Sequence, residues 1–308
     1  METDRAARKS GADTGVCRGE AGNGLNEGGN MADYPVLHGI VLSSMPVGEY
    51  DRRLSILTKE RGRISAFAKG AQKPKSALVA AAQPFVTGAF TVIEGRSSNT
   101  MIRAEVNDYF TELRSDLAKT CYGLYFCELA EFATEEFIDE SETLQLLYAA
   151  LRALSKGIPE PGLARAVYEI KITYTRGEGP QVNECVRCHD RKGPFVFHVP
   201  SGGCLCAGCA GELFSEEGRK AYELRTQAVA SGYFNLDDST WYALRVIAST
   251  QPSRLFSFSV SENVLAELQS VAAAWYVEHV DHTFRSAEML QTLQDTTVFE
   301  DITGKPPV

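Results

Sequence analysis

Between Leu37 and Val106 the apolar residues come in short runs broken by glycine, proline and polar turns. This predicts five strands, roughly 37–43, 53–58, 63–70, 85–93 and 100–106. The fourth alternates with period two, placing Val86, Phe90 and Val92 on one side and Phe85, Thr87, Ala89, Thr91 and Ile93 on the other. The fifth does the same, with Ile102, Ala104 and Val106 opposite Met101, Arg103 and Glu105. Between the third and fourth strands, residues 76–82 read as a short helix with Ser76 as its N-cap and Pro84 past its end. Five short strands with one helix between the third and fourth is the layout of an OB-fold, a small barrel that often binds oligonucleotides. On pattern alone, another small β-barrel is the competing reading.

After Tyr109 the period becomes helical. Leu144, Leu147, Leu151 and Leu154 recur at steps of three and four, as do Leu163, Val167, Ile170 and Tyr174, a run that opens near Pro161 and closes before Gly177. Further helices are expected across 113–137 and across 262–280, where Val264, Leu268, Val271 and Trp275 share a face behind Ser261 as a cap. Residues 1–30 contain seven glycines, mixed charge and no period of either kind, which predicts a disordered extension and makes Met31 the more natural start of the folded part. The fold class expected is α+β. An OB-fold barrel over 31–110 precedes an α-helical domain in two parts, 111–180 and 213–295, with a cysteine module over 181–212 between them and a flexible tail over 296–308.

Length changes little here: 308 residues at about 150 per domain again imply two domains. The longest apolar run, Val271 to Val277, is seven residues, far short of the roughly 20 needed to span a bilayer, and no secretory signal is recognisable. A cytoplasmic, reducing location is therefore expected. Charge changes more. The formal net charge of −9 argues at first sight against a nucleic-acid partner. Yet residues 52–75 hold Arg52, Arg53, Lys59, Arg61, Arg63, Lys69, Lys73 and Lys75 against one acid, Glu60, while 211–308 sums to −7. A solvated face is the ordinary reading of such a run. On an otherwise acidic chain it marks a candidate surface for phosphates.

Five of the eight cysteines fall within 25 residues: Cys185, Cys188, Cys204, Cys206 and Cys209. Cys185–Cys188 and Cys206–Cys209 are two C-x2-C pairs separated by 17 residues, the spacing of a four-thiolate zinc site. Such a closed shell leaves no place for water, so the Zn²⁺ would be structural. The rivals are two disulfides, a redox-active dithiol and incidental core cysteines; a reducing compartment and the lack of a βαβ context count against the first two. Cys204 in place of Cys206, or His189 or His198 in the shell, are alternative ligand sets. Four thiolates around one Zn²⁺ carry −2, which makes the module a poor surface for phosphates and places DNA contact elsewhere. Cys17, Cys121 and Cys127 are read as non-functional.

No phosphate-binding loop, H-E-x-x-H or dinucleotide glycine fingerprint is present. His38 lies at a strand start, and His279 and His282 near a helix end, where a cation satisfies terminal carbonyls. Asp237 and Asp238, flanked by Asn and Ser, read as a helix cap. The expectation is a protein that is not an enzyme.

A basic five-strand module, helices and a pair of C-x2-C pairs, in that order, resemble the bacterial RecO family of recombination mediators. The resemblance is carried by Gly39-Ile-Val-Leu-Ser-Ser, by Gly48-Glu-Tyr-Asp-Arg-Arg-Leu-Ser-Ile-Leu-Thr58, by Gly62 through Gly70 and by Lys73-Pro-Lys-Ser76. Gln83-Pro-Phe85, Gly202-Gly203 ahead of Cys206, and His279 through Arg285-Ser286 to Leu290 add to it, so that it runs from about 36 to 292. It implies an OB-fold, a helical remainder carrying the zinc module and no enzymatic centre. It also implies DNA repair: binding of single- and double-stranded DNA, strand annealing, association with RecR and with the C-terminal tail of the single-strand-binding protein, and loading of RecA in the nucleoid. Arg52, Arg53, Arg61, Arg63, Lys69, Lys73 and Lys75 become DNA-contact candidates, with Phe67 as a stacking aromatic. The glycine-rich leader, Cys204 and the acidic carboxy-terminal region depart from the family's pattern. An RNA-binding or scaffold protein built on barrel and ribbon is the competing function; a thiol oxidoreductase is the weaker third.

Overall fold

The structure is a computed structural model that describes residues 16–18, 34–96, 98–215, 233–280 and 282–292. It divides into two compact units, one holding residues up to Glu60 and Ile64–Tyr109, the other holding Arg61–Arg63 and the chain from Phe110 onward.

The first unit is an OB-fold. Strands β2 (Val36–Val47), β3 (Asp51–Thr58), β4 (Gly62–Ala68), β5 (Thr87–Ile93) and β6 (Asn99–Asp108) form one sheet in the order β6-β4-β3-β2-β5, and the β5–β6 pairing closes it into a barrel. The short helix α1 (Leu78–Ala81) lies between β4 and β5. The five strands predicted from the apolar pattern are all present. In β4 the alternation is clean, with Ile64, Ala66 and Ala68 buried and Arg63, Ser65 and Phe67 only half-buried. Inside the barrel Leu37, Val41, Leu54, Ile56, Phe90, Val92 and Ala104 pack with Ile64, Ala66 and Ala68 into one apolar core. Gly88 permits the closure, because a Cβ there would fall inside the Glu105 carbonyl of β6.

Three expectations need correction. Met101 is buried and Ile102 only half-buried, because the β5–β6 register runs from Thr91↔Arg103 to Val92↔Met101 and skips Ile102. A bulge inserts one residue and turns the alternation over to the other face. The N-cap of α1 is Ala77, with Ser76 one position further out; its Oγ accepts from Leu78 N–H at 3.3 Å. Within the expected disordered extension, β1 (Val16–Arg18) pairs antiparallel with β6 across Glu105, Ala104 and Arg103. The remainder of residues 1–30, and the expected tail over 296–308, lie outside the described residues.

The second unit is built around a helix buried nearly all round. In α5 (Pro161–Thr175) every residue from Leu163 to Thr173 except Arg165 is buried, under α3 (Leu117–Ala133), α4 (Ser141–Lys156), α7 (Asp238–Ser249) and α9 (Glu262–His279). Pro161 occupies its first turn, as predicted. Its two buried charges are partnered: Glu169 accepts from Tyr125 Oη at 2.7 Å and Arg165 Nε at 2.8 Å, and Lys171 Nζ donates to Ala248 O at 3.0 Å. Ser261 caps α9, whose Val264, Leu268, Val271 and Trp275 are buried, and Asp237 caps α7 by accepting from Ser239 N–H at 2.8 Å. The short helices α2 (Thr111–Arg114) and α8 (Pro252–Leu255) complete this layer. The segment after α9 returns to α3: Ser286 Oγ donates to Glu128 at 2.6 Å, and the His282 ring stacks on Phe132. Among the described residues no helix is long and apolar enough to cross a membrane.

Candidate functional site

Two places collect the residues singled out by sequence. The first is a small ribbon inside the second unit. Strands β7 (Phe195–His198), β8 (Gly203–Cys206) and β9 (Tyr233–Asn235) form a three-stranded sheet in the order β8-β7-β9, and α6 (Ala207–Leu213) follows β8 directly. None of these strands was foreseen. Gly203, at φ 148°, lets Gln181 lie against the ribbon, where Gln181 O accepts from Cys204 N–H at 2.8 Å and its N–H donates to Gly202 O at 3.0 Å. This brings the Cys185–Cys188 loop alongside β8, since Val186 N–H donates to Cys204 O at 2.9 Å.

The four predicted cysteines converge. The sulfurs of Cys185, Cys188, Cys206 and Cys209 all lie within 4.8 Å of one another, and Cys188 and Cys206 Sγ are 3.6 Å apart. A tetrahedral zinc site with Zn–S near 2.3 Å requires sulfur–sulfur edges of about 3.8 Å, so the cluster fits a single ion of that size. Burial pushes the Cys185 thiol up, but N–H donors from Cys206, Cys188 and Arg187 outweigh that and bring it down to about 6. An N–H from Asp190 lowers the Cys188 thiol, but its bonds to Cys206 and Cys185 outweigh that and raise it, and burial and its sulfur neighbours raise the Cys209 thiol. Arg187 crosses the site, donating to Cys209 O at 3.1 Å.

The alternative ligands lie elsewhere. Cys204 points into the core, where burial pushes its thiol up to about 12. His189 Nδ1 is 2.8 Å from Glu184, and His198 Nδ1 is 2.6 Å from Ser201 Oγ. The seven cysteines with described side chains are all free thiols. Cys121 and Cys127 are buried in α3.

The second place is the outer face of the barrel. Successive residues of a strand point to opposite faces, and Arg52 and Arg53 do so. Arg52 donates to Ser44 Oγ at 2.7 Å on β2, whereas Arg53 Nε donates to Ser65 Oγ at 3.1 Å on β4. Arg53 therefore shares the face that carries Ser65, Phe67 and Lys69. Beyond β4 the loop with Lys69, Lys73 and Lys75 folds against the β2–β3 hairpin: Gly70 N–H donates to Asp51 Oδ1 at 2.7 Å, Gln72 N–H to Tyr50 O at 2.9 Å and Gln72 Nε2 to Asp51 O at 2.8 Å. All three lysines are exposed. Lys73 Nζ stands 5.2 Å from the centre of the Tyr50 ring.

Arg61 and Arg63 are engaged differently from the lysines. They belong with the second unit, where Arg63 Nε donates to Thr134 O at 3.0 Å, its N–H to Glu135 O at 2.9 Å, and Arg61 O accepts from Phe137 N–H. Arg63 lies on the Ser65 and Phe67 face of β4, but its guanidinium is held by a carbonyl, whereas the three lysines are exposed. Tyr50 was missed by sequence reasoning, although an aromatic in a glycine turn between two strands has no core to enter and is a signal of exposure. His38, read as structural, is bonded to Glu60 at 2.8 Å, and His279 Nδ1 lies 2.9 Å from Trp275 O at the end of α9.

Comparison with known proteins agrees with this architecture on both sides of the unit boundary. Residues 31–110 match the family described as recombination protein O N terminal, and 114–288 match recombination protein O C terminal. Among curated proteins, the "DNA repair protein RecO" of Acetivibrio thermocellus is 30% identical over 262 residues, covering 85% of this chain and 98% of that protein. The protein of the same name from Bacillus subtilis is 28% identical over 256 residues, 83% of this chain and 93% of its own length. That of an Exiguobacterium strain is 32% identical over 212 residues, 67% and 85% respectively.

Proposed function

Because this chain belongs to the recombination protein O family of DNA repair proteins, we propose that it is a recombination mediator without a catalytic centre of its own. It binds DNA through the barrel, anneals complementary single strands, and works in the cytoplasm on the nucleoid. With RecR it helps load the RecA recombinase onto DNA coated by the single-strand-binding protein, whose C-terminal tail it recognises. The observation that carries the DNA part is the exposed lysine loop, Lys69, Lys73 and Lys75, pinned to the barrel's hairpin beside Arg53 on a chain whose net charge is −9. Cations on a fixed frame can follow a phosphate backbone. The guanidinium of Arg63, engaged with the Thr134 carbonyl, contributes less.

We also infer that Cys185, Cys188, Cys206 and Cys209 hold one structural Zn²⁺. Four thiolates close its shell, so the ion ties the ribbon together and activates no water.

Engaging about five phosphates of a single strand gives a slope of log affinity against log salt near −3.5. Raising salt from roughly 50 to 200 mM then weakens binding about a hundredfold. Replacing Lys69, Lys73 and Lys75 together by alanine makes that slope shallower by about 2. It also slows annealing of strands coated with the cognate single-strand-binding protein. An affinity indifferent to salt, or an unchanged slope in the triple variant, overturns the reading.

A further inference from the structure

The hairpin between β2 and β3 presents three apolar side chains to solvent: Met45 is 62% exposed, Val47 40% and Tyr50 46%. They have no part in the barrel core. Met45 and Val47 lie across from Arg53 and Asp51 in the β2–β3 ladder, so they share the outer face with Arg53. Tyr50 closes the turn that Gly48 opens at φ 60°. Its backbone carbonyl is held by Gln72, its neighbour Asp51 is held by Gly70 and Gln72, and its hydroxyl is bonded to the Glu49 carboxylate. Only the ring is left to Lys73, which stands 5.2 Å from its centre.

An aromatic face on a rigid turn, with a cation over it and more cations along the adjoining loop, has the two elements of a single-strand site: a stack for a base and a track for phosphates. A duplex offers only the second contact, because its base faces are covered by their neighbours. The Asp51 carboxylate faces this same loop but is engaged by Gly70 N–H at 2.7 Å, which leaves the exposed ammonium groups of Lys69, Lys73 and Lys75 for the backbone. Phe67 is less suited, being half-buried within β4.

We propose that Tyr50, flanked by Met45 and Val47, is a base-stacking platform that makes the barrel surface favour single-stranded over duplex DNA. The proposal rests on the assignment of Lys69, Lys73 and Lys75 as DNA contacts, and the test separates the two. Dissociation constants of the full chain are measured by fluorescence anisotropy on a labelled oligonucleotide as a single strand, as a duplex and as a single strand carrying abasic sites. Tyr50→Ala weakens the single strand about 5- to 100-fold and the duplex less than twofold, while Tyr50→Phe restores the preference. Abasic sites weaken the wild-type complex and leave that of Tyr50→Ala unchanged, since the stack is already lost. Equal losses on single strand and duplex, or an abasic penalty that survives in Tyr50→Ala, overturn the platform. If the triple lysine variant weakens both DNAs and Tyr50→Ala weakens neither, the platform alone falls. If the triple variant weakens neither, the DNA-contact surface falls and the platform with it.

Discussion

Strand β4 of the barrel buries Ile64, Ala66 and Ala68 and turns Arg63, Ser65 and Phe67 outward, whereas strand β7 of the cysteine ribbon buries all four of its residues. The first strand has a core on one face only. The second is covered on both: Phe195 and Phe197, on one side, pack against Trp241 and Trp275, and His198, on the other, lies edge-on to Phe214 at 5.5 Å. The contrast extends to how each region holds together. The barrel closes over a continuous apolar core from Leu37 to Val106. The ribbon has three strands of three or four residues, too few for a core of their own, and relies on a four-sulfur knot with borrowed aromatic cover. Apolar burial sustains one, whereas the other gathers four thiols that could hold a metal ion.

The largest expected effect tests the ribbon. Replacing Cys185 by serine, or Cys206 in a second variant, removes a ligand from a site whose metal supplies on the order of 10 kcal/mol of local folding free energy. Metal content falls from one ion per chain to none, and amide-exchange protection across 181–212 is lost while the barrel strands keep theirs. A ribbon that stays protected without metal would show that the aromatic cover suffices.

The barrel's counterpart is Phe90→Ala. Phe90 is fully buried in the core, and truncation there costs about 3 to 5 kcal/mol. Urea denaturation followed by exchange in β2–β6 shows an early midpoint, while bound metal stays at one per chain up to the wild-type concentration of urea. Metal lost in step with the barrel would mean that the two regions stand or fall together, and the comparison would break.

The same contrast decides what was legible. All five barrel strands follow from short apolar runs bounded by turn residues, and for the fourth and fifth one-sided burial also writes a period into the sequence. Where a bulge at Ile102 shifts the register, that rule assigns Met101 and Ile102 to the wrong faces, and no local residue signals the insertion. The ribbon strands leave no period. Yet its ligands were the clearest signal in the chain, since four thiolates must be cysteines and tight pairs need short spacing. The basic run lay between. Charge counting groups Arg53, Lys69, Lys73 and Lys75 with Arg63, whose guanidinium is engaged by the Thr134 carbonyl, and Arg61, whose backbone carbonyl accepts from Phe137 N–H. What a side chain meets depends on the fold around it, and charge counting is blind to that.

Helix caps refine the comparison at the smallest scale. Ser76 and Ser261 both precede apolar helical runs, and sequence treats them alike. In the second unit Ser261 is the N-cap of an 18-residue helix, and its Oγ takes the Val264 N–H. In the barrel Ser76 lies outside a four-residue helix whose N-cap is Ala77, and its Oγ accepts from Leu78 N–H. A cap matters in proportion to the helix whose orphan donors it satisfies. Ser261→Ala should therefore cost about 1 kcal/mol, and Ser76→Ala less than about 0.5 kcal/mol. Measured as shifts of the urea midpoint at unchanged slope, equal losses would mean that Ser76 anchors the loop bearing Lys73 and Lys75. In that case its replacement should also weaken DNA binding, as Ser261→Ala should not.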